Sequence, residues 1–504
     1  MSDKKTKNFE DSLEKISKTN TPFVHADHRR PRTRRELLSS GFLSFASAAV
    51  LPSMLSIASN KAFGLECSGG ESTGANKFMP YLHIELSGGA GLSGNYIFGK
   101  EAPGAAFEPL SADGYATLGF DGIPEINQTI NDENGNPMIP WGGRMDTGKG
   151  VHLGLRQVMS DAAIQCTKIV GVPVECADDT RNNPFNAVQL SVMASGFNGN
   201  LIHIAGTRGG NNTFGRTNET PFGVNPGLVK AVVTGPEDTQ ALVDPGVVAR
   251  ALRPEDAVRI TQAAAKLSES HLMKFNALTL PEQIRDLVRC GYLSAESLLS
   301  DFTADSLNPA MDTIVTGNPI LNAAMNNNDT RGTMTIAKLL ADNNTAAATM
   351  ELGGFDYHGR GLQNRTNKDI EVGIKAGLCL QTAYEKGTPL FIAITSDGSV
   401  ACQADGTPRS DSGSRGSMLM IAMVPNAAPG ISVPQIGAFN DSGAVNTAMM
   451  STTSNSAAAA GALLSYNYAM LNGKMDGFTK VMTASGSSNI FASDNKFLGF
   501  EPPA

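Results

Sequence analysis

The sequence predicts an α/β fold: a mostly parallel central sheet, helices on both faces, and a helical insertion. Two observations carry this. Short apolar runs of strand length recur at residues 81–86, 201–205, 346–352, 390–395 and 418–424, and Gly, Ser, Asn and Asp punctuate them. Segments of helical character separate the runs, which is the alternation of a sheet covered on both sides. With 504 residues, 41% hydrophobic and 17% charged, the chain has enough apolar material for a sizeable core.

The first 64 residues read as a leader, separate from the fold. Thr33-Arg34-Arg35-Glu36-Leu37-Leu38 follows a basic, polar stretch and precedes a moderately apolar run, Gly41 to Ala58. That is the layout of a twin-arginine export signal. A membrane anchor fits less well, because about 18 residues interrupted by Pro52 and several serines make a weak span. Cleavage near Ala62-Phe63-Gly64 removes 11 of the 40 Lys/Arg and 6 of the 48 Asp/Glu, moving the net charge from −8 to −13. An acidic mature chain does not draw in nucleic acid or anionic membrane by charge. The expected partner is therefore the twin-arginine export machinery, with no nucleic acid and no stable membrane span after cleavage, and the expected location is periplasmic or secreted. Six cysteines in an oxidising compartment permit disulfides. Cys166 and Cys176, ten positions apart, are the preferred pair, and no C-x-x-C spacing suggests structural zinc.

Residues 65–79 read as a flexible lead-in, 80–450 as the α/β domain, and 451–504 as a C-terminal helix, Ser456 to Leu471, with a tail. The first strand, Tyr81 to Leu86, runs into Ser87-Gly88-Gly89-Ala90-Gly91-Leu92. Backbone amides in such a turn can approach an anion, but the G-x-G-x-x-G spacing and a P-loop lysine are missing, which argues against a dinucleotide. Residues 100–150 read as long surface loops holding the single tryptophan, Trp141. His152 opens a helix, where a helix contact is as good a reading as a ligand. His203 sits inside an apolar run and reads as a core histidine. Thr213, in the loop after that run, is a candidate nucleophile or a plain turn residue. Residues 253–303 look helical, with starts at Pro254-Glu255-Asp256 and Leu280-Pro281-Glu282, and form the expected insertion at about 250–305.

The stretch 345–413 concentrates the chemistry. After the strand at 346–352 and Gly353-Gly354 comes Phe355-Asp356-Tyr357-His358; in extended backbone Asp356 and His358 face the same way. A helix expected over Asp369 to Glu385 closes at Gly387, and the strand PLFIAIT then ends in Ser396-Asp397-Gly398. A strand, helix and strand with carboxylates at both strand ends make a parallel βαβ unit whose crevice lies at the carboxyl edge. Asp411 follows in the loop before the run MLMIAMV. Asp356, His358, Asp397 and Asp411 are therefore the candidate ligands of one divalent cation, Mn, Mg, Ca or Zn. Taken singly, each acid also suits a cap or a turn.

The order of these features resembles a family of bacterial twin-arginine-exported proteins, domain of unknown function 1501, which is similar to the alkaline phosphatase and sulfatase superfamily. Gly354-Phe355-Asp356-Tyr357-His358 looks like the family's Gly-Trp-Asp-Thr-His, and Ser87-Gly88-Gly89-Ala90-Gly91-Leu92 like its Arg-Gly-Gly-Ala-Asp-Gly-Leu. Val151-His152-Leu153 resembles its Leu-His-Pro, Ser396-Asp397-Gly398 its Ser-Glu-Phe-Gly, and Asp411-Ser412-Gly413 its Asp-His-Gly. The chain departs from the pattern in three places: the early Asp is absent between Ala90 and Gly91, Ser412 stands for a histidine, and Asn211-Asn212-Thr213-Phe214 stands for Arg-Ser-His-Phe. The resemblance implies an alkaline-phosphatase-like fold. It leaves two expectations for function: a degenerate member binding a ligand or partner at the cell envelope, or a metal-dependent hydrolase of phosphate or sulfate esters.

Overall fold

The computed structural model describes residues 77–175, 186–206, 228, 230–242, 302–447, 457–484 and 497–501. The leader, Thr213, Cys176 and nearly all of the expected helical insertion lie outside the described residues. Seven strands form one sheet: β1 (Tyr81–Leu86), β2 (Thr167–Pro173), β3 (Ile202–Gly206), β4 (Lys230–Val232), β5 (Thr345–Leu352), β6 (Leu390–Ser396) and β7 (Ser417–Met423). Their spatial order is β2-β7-β6-β1-β5-β3-β4. β1 lies parallel between β5 and β6, and β3 is parallel to β5 and β4. Only β7 is reversed, antiparallel to both β6 and β2. The α/β class with a mostly parallel sheet is thus observed, in mixed form.

Both faces of the sheet are covered, which is why its central strands read as nearly continuous apolar runs. Leu82, Ile84 and Leu86 of β1 enter one core together with α1 (Gly150–Val158), α3 (Asn328–Ala341) and α4 (Leu362–Glu385). Tyr81 enters the other with α2 (Ala187–Ser195), α5 (Ala457–Leu471) and α6 (Met475–Ala484). The C-terminal segment is therefore a layer of the fold: α5 and α6 pack into this second core, as do Phe497 and Phe500.

α1 and α4 pack unusually closely. A methyl group on Gly154 would lie 2.2 Å from the Ile370 carbonyl oxygen, and one on Gly373 would lie 2.2 Å from that of Val151. Any side chain larger than hydrogen at either position would push the helices apart. α4 also begins earlier than its apolar periodicity indicates, at Leu362. Its first turns are polar and Gly361 supplies no side-chain cap, so tertiary contacts, chiefly those of the buried Arg365, hold them.

Two further expectations change. Residues 100–150 are not simply surface loop. They contain a helix, Ala112–Leu118, capped by Ser111, whose side chain accepts from the Gly114 amide, and Trp141 is buried with its Nε1–H donating to His152 Nδ1 at 2.8 Å. The segment after Cys166 is strand β2 and not a closed excursion. Seven extended residues carry the chain on the order of 20 Å, unlike the short loop that a Cys166–Cys176 bridge would close. Cys166, Cys379 and Cys402 are free thiols.

At the amino edge of the sheet two lysines and two aspartates form a partly buried cluster. Lys338 Nζ lies 2.5 Å from Asp312 Oδ2 and 2.8 Å from Asp342 Oδ2; Lys386 Nζ lies 2.6 Å from each carboxylate. Burial alone would raise the Asp312 carboxyl, but hydrogen bonds from Lys338 and Lys386 outweigh it and hold the group far below its ordinary range. The folded value thus lies below that of the unfolded chain, about 3.9. The stabilisation is complete above that value and is lost as pH falls through it towards the folded one. Asp312→Ala leaves two buried ammonium groups sharing one carboxylate and should cost about 3 kcal/mol. Urea denaturation at pH 7 measures this, and the gap between wild type and variant should narrow on acidification below about pH 4.

Candidate metal centre

The carboxyl ends of three adjacent strands, β6, β1 and β5, meet at Gly88. Its φ of +116° and that of Gly89, +90°, turn two successive amides towards β6. Both donate to Asp397 Oδ1, at 2.7 and 3.0 Å, and the Ala90 amide donates to Ser396 Oγ at 2.8 Å. On the other side the Phe355 amide donates to the Ser87 carbonyl at 3.1 Å. A Cβ on Gly88 would lie 2.6 Å from the Asp356 nitrogen and 2.9 Å from its Cβ. The turn after β1 is therefore the fixed floor on which Asp356 rests.

The next residues alternate as the extended reading requires. Phe355 and Tyr357 are fully buried, while the Asp356 and His358 side chains remain 44% and 52% exposed. The Tyr357 hydroxyl donates to Asp369 Oδ1 at 2.8 Å. His358 Nδ1 abuts Asp356 Oδ1 and stands 3.4 Å from Asp411 Oδ1.

Asp411 reaches this edge because β7 is reversed. The chain leaves the carboxyl end of β6, forms a small antiparallel hairpin of Val400–Cys402 with Pro408–Asp411, and enters β7 from the same edge. A parallel β7 would need a crossover and would begin at the far edge. One ligand atom each from Asp356, His358 and Asp411 lies within 4.8 Å of the others. With bonds of about 2.0 to 2.6 Å, such donors can share one ion. Asp356 Oδ1 is also shielded from solvent and accepts no hydrogen bond of proper geometry, so a cation would give this acceptor a partner. The chemistry of the set, two hard carboxylates and one imidazole, fits a single divalent ion.

The other candidates stand elsewhere. Asp397, expected beside Asp356 and His358, has its Oδ1 taken up by the Gly88 and Gly89 amides and is not among the grouped donors. Thr213 lies outside the described residues. His152 accepts from Trp141, and burial, followed by the nearby Arg156 charge, pushes its ring down to about 4. His83 lies in a chain from the Tyr81 hydroxyl to Thr395, and burial likewise pushes it down to about 4. His203 is buried on β3, as its apolar context indicates.

Residues not singled out from the sequence complete the surroundings. Asp369, on the buried side of α4, accepts from Asn95 Nδ2 at 3.0 Å through Oδ2 and from Tyr357 through Oδ1. Arg365 lies 3.7 Å away and donates to the carbonyls of Gly406, at 3.0 Å, and Gly91, at 3.2 Å. Burial pushes the Asp369 carboxyl up, and outweighs Arg365, Asn95 and Tyr357, which pull it down. The available signal was a charged residue on the face of α4 that also carries Val372 and Ala376.

No family model, curated protein or solved structure matches the chain. The geometry itself makes a local prediction. Gly88→Ala would place a side chain against Asp356 at a positive φ that L-residues rarely adopt, and should destabilise the protein by about 1–3 kcal/mol, read from thermal or urea unfolding.

Proposed function

We propose that the protein is an exported, alkaline-phosphatase/sulfatase-like protein that binds one divalent cation through Asp356, His358 and Asp411. Through that cation it holds an anionic ligand or partner at the cell envelope without turning it over. The observation that carries this reading is the convergence of three donors while the fourth candidate, Asp397, is engaged by the glycine turn. Two-metal ester hydrolysis needs ligands for two cations and a nucleophile between them; one cation's worth of ligands supports binding. One imidazole among oxygen donors suits Mn or Zn better than Mg or Ca. A bound cation would supply a fixed positive charge. Asp356 and Asp411 would balance its two charges, so an incoming anionic group would be held by direct coordination at the positions that three protein donors leave open, for which their half-exposed placement leaves room.

The test uses the mature chain after chelation. Calorimetric titration with Mn²⁺ or Zn²⁺ should show about one equivalent bound, as expected for one three-donor site. His358→Ala or Asp411→Asn should weaken binding by about tenfold or more. Aryl phosphate and aryl sulfate esters should remain intact with metal present. Metal-dependent cleavage would instead establish the hydrolase reading, with Thr213 as its first candidate nucleophile. Export is tested separately: replacing Arg34 and Arg35 by Lys should retain the precursor in the cytoplasm, read by cell fractionation.

A further inference from the structure

We infer that Tyr357 and Asp369 are positioning residues of the Asp356–His358–Asp411 cluster, setting from inside the protein the direction in which its ligands face. This rests on the cation-binding reading above. Residues 353–358 belong to no strand or helix, so no ladder of backbone hydrogen bonds orients their side chains. The backbone is tied at its two ends, by the Phe355 amide to Ser87 and by the Tyr357 carbonyl, which accepts from the Arg360 amide at 3.1 Å. Between these points the orientation depends on which side chains are held inside. Successive side chains of an extended segment face opposite ways, so a Tyr357 fixed inward keeps Asp356 and His358 outward.

The phenol is held by more than apolar burial. A hydroxyl taken out of water without a partner is costly, and the Tyr357 hydroxyl finds Asp369 Oδ1 at 2.8 Å. Asp369 in turn has little freedom to move. Its Oδ2 accepts from Asn95, whose own Oδ1 accepts from the Val151 amide at 3.2 Å in the first turn of α1. A Cβ on Gly150 would lie 2.5 Å from the Asp369 Cβ. A continuous path therefore runs from the α1–α4 contact through Asn95, Asp369 and Tyr357 to the two ligands beside Tyr357. Outer groups that orient metal ligands in this way typically contribute about 10–100-fold in metal affinity.

The experiment is Mn²⁺ titration of the mature chain, followed by paramagnetic resonance of free Mn²⁺ and by the metal-induced rise in thermal midpoint. Tyr357→Phe keeps the ring and removes the donor. It should weaken Mn²⁺ binding by about 10–100-fold, with the far-UV spectrum of the apo protein kept and the metal-induced rise in midpoint reduced. A merely structural role would lower apo and metal-bound midpoints equally and leave affinity unchanged, which would overturn the inference. Should Tyr357→Phe fail to fold, Asp369→Leu decides: it keeps a similar volume and offers the Tyr357 hydroxyl no acceptor, and wild-type affinity in that folded variant would equally overturn the inference. A wild-type chain that binds no Mn²⁺ would remove the cation reading and this inference together, whereas tight wild-type binding with unchanged variants would remove the inference alone.

Discussion

A carboxylate without access to water sits behind the candidate site. Asp369 is buried beneath α1, and its ordinary tendency to ionise is opposed by that burial. Burying a charge is tolerated when hydrogen bonds and an opposite charge compensate for lost hydration. Here Asn95, Tyr357 and Arg365 supply them. The arrangement depends on the glycine contact between the helices: Gly150, Gly154 and Gly373 let the two backbones approach closely over the buried carboxylate. Wider spacing would hydrate Asp369 and loosen its hold on Tyr357. The small residues of α1 and α4 thus act on a surface cluster they never touch.

The reversed strand is the second constraint. In an all-parallel sheet every strand begins at the edge opposite to the crevice, and a residue preceding a strand would be remote from residues that follow one. β7 breaks that rule, so Asp411, which precedes it, meets Asp356 and His358, which follow β5. A three-donor cluster drawn from two separate loops is consequently a product of mixed topology.

Much of this was legible in the sequence. The runs at 81–86, 346–352, 390–395 and 418–424 became β1, β5, β6 and β7 within a residue or so, because short apolar runs flanked by glycine and polar turns have few alternatives. The pairing of Asp356 with His358 followed from period-two alternation alone. β2 was less legible because Lys168, Gly171 and Pro173 interrupt the apolar pattern of Thr167–Pro173, although its Ile169, Val170 and Val172 are buried and of strand character. Asp397 stands outside the grouped donors for a physical reason: a carboxylate at a strand end can face the crevice or accept from a neighbouring turn. Local sequence cannot choose between these when the turn belongs to a strand some 300 residues away. Asp369 was illegible for a related reason, since its partners Asn95 and Tyr357 come from different parts of the chain.

The two edges of the sheet are managed differently. At the amino edge Asp312, Asp342, Lys338 and Lys386 neutralise one another in a partly buried cluster, and each ammonium group contacts both carboxylates. Such a group can neither bind a ligand nor lose a member cheaply. At the carboxyl edge two carboxylates and an imidazole stand together, half exposed, with His358 Nδ1 against Asp356 Oδ1. Among the described residues the ion-pair partner of both acids is His358, and no lysine or arginine pairs with either. The exposed acids thus stand at the carboxyl edge, with His358 as their neighbour, and that is the edge where open α/β sheets offer their crevice. The two edges thus differ in exposure: the amino-edge charges pair with one another, while Asp356, His358 and Asp411 face outward together.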